Sequence, residues 1–285
     1  MMYLKKIHIL ILVFFIGSLN SLAQDLIRNS GFEGAWACPE GFTKLPVKEL
    51  IPHWKNPNKG TPDYFHECGD SAAGIPSNFA GNIKAQEGSA YIGLILREVF
   101  KDSSKYDKAS REYITIELDE ELEHRQLYCF SLYYALASKS RFAVDALGIS
   151  FTSEQPKSWD AGLIDMEPLV YNIPGHFMKN KDKWHELCGV FRARGNEKFL
   201  TIGNFNPNIK THFSNLSDSS EIELIMGVPL CTLSASSITF GSGLSRQHGV
   251  STFSCTVFTS HFTYSASLPT NIPAFTSIKS APCSC

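Results

Sequence analysis

The chain has 285 residues, a formal net charge of −2 and a pI near 6.5, so nothing in its electrostatics calls for nucleic acid as a partner. That length is enough to bury a core of one or two domains. Its 8 cysteines bear on compartment, once the amino-terminal end has been read.

Lys5 and Lys6 precede an apolar run over residues 7–17, and Ser21-Leu22-Ala23 follows it. Charged, apolar, then small is the order of a secretory signal, so residues 1–23 read as a signal peptide and Gln24 as the mature start. The run is too short for a helix across a bilayer core of ~30 Å, which needs about 20 residues. No second long apolar segment follows, so no transmembrane span is expected after the signal. The residue directly after the cleavage site is Gln24, not a cysteine, so no lipid anchor is indicated. All the cysteines lie beyond the signal, in a chain bound for an oxidising compartment, and no Cys-x-x-Cys pair is present. Disulfides are therefore expected rather than a metal site.

The mature chain reads as strands in succession: residues 91–95, 113–118, 127–135, 146–151, 184–191 and 199–205. Each is rich in β-branched and aromatic residues, and several alternate with period two, as a pleated, half-buried surface requires. Residues 119–124 offer one helical turn at most. The fold class is all-β, a two-sheet sandwich. Two long stretches rich in turn formers, 39–82 and 157–182, interrupt the strands, and long ordered loops of this kind commonly carry function.

The composition changes near Glu223. Between Met226 and Ile278 the only acidic or basic residue besides histidine is Arg246, and Ser and Thr dominate. Residues 224–285 read as a Ser/Thr/Cys-rich irregular tail: disordered, divergent, or translated in a shifted frame. No chemistry is assigned there.

The segment Leu26-Ile27-Arg28-Asn29-Ser30-Gly31-Phe32-Glu33 resembles the opening strand of galactose-binding-like jelly rolls, including many carbohydrate-binding modules. Further motifs join it: Gly60-Thr61-Pro62-Asp63-Tyr64-Phe65-His66-Glu67-Cys68, Pro76-Ser77-Asn78-Phe79-Ala80-Gly81, Ala90-Tyr91-Ile92-Gly93, Arg111-Glu112-Tyr113-Ile114 and Leu200-Thr201-Ile202-Gly203-Asn204-Phe205. Together they resemble the jelly-roll domain found ahead of OmpA-like peptidoglycan-binding domains in exported Gram-negative proteins. The resemblance covers residues 24–223. It implies a jelly-roll β-sandwich in the periplasm, on the outer membrane or outside the cell, with glycan or envelope components as partners. The OmpA-like domain is absent here, and so is the closing strand with its Asp-Asp-Val segment. Loss of that strand would leave an exposed sheet edge.

Asp63, Tyr64 and His66 place a carboxylate, a phenol and an imidazole in one Gly/Pro-bounded loop, with Trp54 upstream as a stacking platform. Sugar recognition uses this mixture, because aromatic faces stack on C–H patches while acids and amides take hydroxyls. The alternative is that the loop only holds the sandwich together. Glu33 stands where related jelly rolls place an acid of a structural calcium site, and calcium takes six to eight oxygens. Cys38 and Cys68 bracket the first long loop and suit a bridge, while Cys129 and Cys188 lie in expected strands as bridging partners or buried thiols. Acid pairs such as Glu117 with Asp119, or Glu112 with Asp145, have no spacing that singles them out for catalysis. No Gly-x-Ser-x-Gly or His-Glu-x-x-His motif is present. A non-catalytic binding module is thus expected, ahead of a structural or protein-interaction module and, last, an esterase or glycosidase fragment.

Overall fold

A computed structural model describes residues 25–42, 46–98 and 109–216, and beyond them the backbone of four short strands between 226 and 269. The signal segment lies outside the described residues, as does the rest of the tail.

Fifteen strands follow in chain order: β1 (Trp54–Lys55), β2 (Asp63–His66), β3 (Ala90–Leu94), β4 (Ile114–Glu117), β5 (Leu127–Leu136), β6 (Phe142–Val144), β7 (Gly148–Thr152), β8 (Val170–Tyr171), β9 (His185–Arg192), β10 (Phe199–Gly203), β11 (Phe213–Asn215), β12 (Met226–Val228), β13 (Cys231–Ala235), β14 (Val250–Phe253) and β15 (Ala266–Pro269). Only two 3-10 turns, Val47–Glu49 and Asn208–Lys210, break the β pattern among the described residues. Residues 119–124 form no helical turn.

Every strand pair is antiparallel. Among the described residues one sheet runs β1-β4-β10-β7-β8, and a second joins β2-β3-β12-β5-β13, with β9 also paired to β5; β6 with β11 and β14 with β15 form two further two-stranded pairs. Ile114, Ile116, Ile149, Leu200 and Ile202 of the first sheet and Tyr64, Ile92, Leu94, Phe130 and Leu132 of the second share one buried cluster. Phe151 stacks on Phe191 at 4.5 Å between ring centres and meets Phe130 edge-on. The chain is therefore the all-β sandwich its alternation predicts.

The slot between β3 and β5 holds β12. Gly227 lies opposite both Gly93 and Ala135, and β13 carries the pairing on along β5, from Cys231 opposite Leu132 to Ala235 opposite Tyr128. A backbone from the compositionally distinct segment thus takes a central place in the second sheet, so β3 and β5 present no open edge there.

The first sheet is covered on its outer face as well. The Thr115 and Thr201 hydroxyls bond at 2.9 Å across β4 and β10. The stretch 153–169 closes over them: the Ser150 hydroxyl donates to the Glu167 carbonyl, Leu169 N–H donates to the Ile149 carbonyl, and Ile164 packs with Tyr113 and Phe205. Tyr113 lies directly on Gly203, where a Cβ would clash with its ring. The second long loop is thus the lid of this layer.

Candidate functional site

Asp63–His66 is an edge strand rather than a loop, and that decides the fate of the expected sugar site. In a strand successive side chains point to opposite faces. Tyr64 lies opposite Ile92 and points into the core, where it is fully buried and its hydroxyl donates to the Phe32 carbonyl at 3.0 Å. Burial, aided by the nearby Glu33 charge, pushes the phenol pKa up. Asp63 and Phe65 take the opposite face. His66 is half-buried, and its Nδ1 accepts the Cys68 N–H at 3.0 Å. Trp54 offers no platform either. Its indole is fully buried, 4.9 Å from Phe32 between ring centres, and its Nε1–H donates to the Asn29 carbonyl. Tyr64 and His66 share a face, their ring centres 6.0 Å apart, but with Trp54, Asp63 and Tyr64 buried the four residues present no open sugar platform.

Glu33 is exposed, and both of its carboxylate oxygens accept the Ser89 N–H, at 3.0 and 3.1 Å. Among the described residues no three His, Cys, Asp or Glu side chains converge as a metal site would require.

Cys38 and Cys68 form the expected disulfide, with Cα atoms 5.5 Å apart. The bridged loop is further tied by Asp70, whose N–H donates to the Pro39 carbonyl and whose carboxylate accepts the Gly41 N–H. The backbone N–H groups of Gly41 and Ala73 hold that carboxyl below its usual pKa. Cys129 and Cys188 are disulfide-bonded too. They lie on the paired strands β5 and β9, Cys129 opposite Val190 and Cys188 opposite Ser131.

The acids considered for catalysis have structural partners. Glu117 pairs with Lys198 at 3.3 Å, and Asp119 pairs with Arg28. Asp145 accepts from the Gly175 and His212 N–H groups and meets His212 Nδ1 at 2.8 Å. Glu112 is buried, and its oxygens accept the Ile95 N–H at 2.7 Å and the Thr61 N–H at 3.1 Å. Burial, with the Asp63 charge beside it, pushes its pKa up to about 8.

The residue that sequence reasoning passed over is Trp159. Its side chain is 91% exposed, the most of any large hydrophobic among the described residues. It stands at the tip of the covering loop, in Lys157-Ser158-Trp159-Asp160. Backbone rungs pin the loop on both sides of it: Ser158 N–H to the Pro57 carbonyl at 2.7 Å, and Lys59 N–H to the Asp160 carbonyl at 2.9 Å. A third runs from Arg111 N–H to the Ala161 carbonyl, at 2.7 Å. The Asp160 carboxylate closes the turn by accepting from Gly162 N–H and the Ser158 hydroxyl. Such an indole is presented rigidly and almost wholly to solvent.

Arg111 is the hub of this end. Its carbonyl accepts from Asn58, while its buried guanidinium donates to the Asn204 and Asn206 carbonyls and to Asn208 Oδ1. Three loops, 56–61, 157–164 and 204–211, therefore meet on one residue. Leu163 and Ile209, also exposed, ride on two of them. Trp36 and Phe42, 69% and 61% exposed, lie instead just before and within the disulfide-bridged loop. The signal for Trp159 was a lone tryptophan in a polar stretch, inside a loop already marked as a functional candidate.

No family model matches the chain, and no curated protein matches it. Among solved structures it is similar to the xylan-binding domain CBM22-1 of Xyn10C from Paenibacillus barcinonensis, at 11% identity and a TM-score of 0.38, over 75% of this chain and 95% of that one. It is also similar to the carboxy-terminal family 22 carbohydrate-binding module of Xyn10B from Clostridium thermocellum, at 8% and 0.34, over 71% and 95%. A third is the K1 cleaved adhesin domain of Lys-gingipain from Porphyromonas gingivalis, at 10% and 0.34, over 68% and 97%.

Proposed function

We propose that this chain is an exported, non-catalytic glycan-binding module whose ligand stacks on Trp159. The observation that carries this reading is a tryptophan held open to water by a loop with no freedom to bury it. Tryptophan is enriched at interaction surfaces, where it offers a large apolar face together with a polar N–H. An indole face suits the C–H patch of a pyranose, and the polar residues beside it can take the hydroxyls. Export rests on the signal-like residues 1–23. The association with envelope proteins of the OmpA family rests on the motif resemblance, several of whose residues (Arg111, Glu112, Asn204) build the loop junction.

Affinity electrophoresis of the mature full chain against a panel of soluble polysaccharides tests the reading. Retardation by at least one polymer, lost on Trp159→Ala, supports it. Retardation that survives Trp159→Ala moves the site elsewhere. A purely structural role is the second reading for the Asp63–His66 strand alone, since Tyr64 is buried in the core.

A further inference from the structure

We infer that the Trp159 surface takes an acidic glycan, one that carries an anionic group next to a stackable sugar face; this rests on the glycan-binding reading above. Lys157 lies two positions before Trp159 and is exposed. Lys59, also exposed, is tied to the residue after Trp159 by its N–H, which donates to the Asp160 carbonyl at 2.9 Å. The joined loops thus bring two exposed lysines into the segments that carry Trp159.

One carboxylate, Asp160, stands beside them and offsets one of the two charges. Asp160 turns Oδ1 inward onto Gly162 N–H, at 2.9 Å, and the Ser158 hydroxyl, at 3.0 Å. Neither lysine takes part in an ion pair among the described residues. The local balance is therefore positive on a chain whose formal charge is −2. A bare indole would serve a neutral sugar. Two ammonium groups attract an anion more strongly than a neutral hydroxyl, and lysine, a hydrated point charge with three rotatable donors, takes carboxylate, sulfate or phosphate without a fixed geometry. The shared chemistry is the anionic substituent, and the source is for the experiment to decide.

Matched polymers separate charge from sugar: polygalacturonate against its methyl ester, dextran sulfate against dextran, and phosphomannan against mannan. With the mature full chain, at least one acidic polymer is expected to bind roughly three- to tenfold more tightly than its neutral partner. The advantage should shrink in about 0.5 M NaCl, where the Debye length is only a few ångströms. Lys59→Ala with Lys157→Ala should remove the advantage of the acidic polymer over its neutral partner, whereas Trp159→Ala should remove the binding of both. Equal, Trp159-dependent binding within every pair would overturn the acidic preference and leave the glycan reading standing. An advantage untouched by the double lysine variant would overturn it too. If no polymer of either kind binds, the glycan reading itself fails.

Discussion

The Arg111 main-chain N–H donates to the Ala161 carbonyl at 2.7 Å, two residues past Trp159. The same residue's guanidinium anchors the loop 204–211 from within the protein. One buried arginine thus couples the exposed indole to the end of the first sheet. Lysine cannot reproduce this, since a single ammonium lacks the planar fork that reaches several acceptors at once. Arg111→Lys should cost at least about 2 kcal/mol, because buried carbonyls lose their donors. Urea unfolding measures that cost, and hydrogen exchange of residues 158–162 should quicken in the same variant.

Glu112 makes stability depend on pH. Its folded pKa, about 8, lies above the ordinary carboxyl value of 4.5. Folding therefore favours its protonated form, and that contribution is complete below about pH 4.5 and lost as pH rises through about 8. Thermal melts from pH 5 to pH 9 should show the decline, which Glu112→Gln should flatten. A decline of the same slope in the variant would assign it to other groups.

The two tryptophans should behave as opposites. Trp54→Ala empties a fully buried position and should cost roughly 3–5 kcal/mol. Trp159→Ala touches only solvent and should leave stability within about 0.5 kcal/mol. Paired denaturation curves check both.

The Cys38–Cys68 bridge closes a separation of 30 residues. In the loop-entropy account it restrains the unfolded chain by roughly 3–4 kcal/mol. Replacing both cysteines with alanine should lower the unfolding free energy by about that amount while leaving the Trp159 loop intact, as seen by its hydrogen exchange.

Truncation after Glu223 should do more harm than a tail usually allows. It removes β12 from between β3 and β5 and leaves two facing edges unpaired. Loss of cooperative unfolding, or concentration-dependent association in sedimentation, is the expected outcome. A truncated chain that melts like the parent would show the slot needs no strand.

The strands were legible because their alternation is set by burial on one face, and β3, β5, β7, β9 and β10 fall within a few residues of their expected places. β2 was hidden by its flanking Gly60, Pro62 and Gly69, which signal a loop although hydrogen bonding to β3 makes an edge strand. That one error carried the sugar site with it, because in a strand Tyr64 must turn inward. The Cys38–Cys68 bridge was legible from position. Trp159 was not singled out, since its exposure depends on contacts from residues 57, 59 and 111, which local sequence does not display. The place of β12 was equally hidden, because backbone pairing in a central slot leaves little mark on a Ser/Thr-rich segment.

The most direct test of the account is isothermal titration of the mature chain and of its Trp159→Ala variant with the tightest-binding polysaccharide of the panel. The account predicts at least a tenfold loss of affinity, about 1.4 kcal/mol, in a variant whose thermal midpoint is unchanged. Equal affinity in the two proteins would contradict it, and the pinned indole would then be no part of a glycan site.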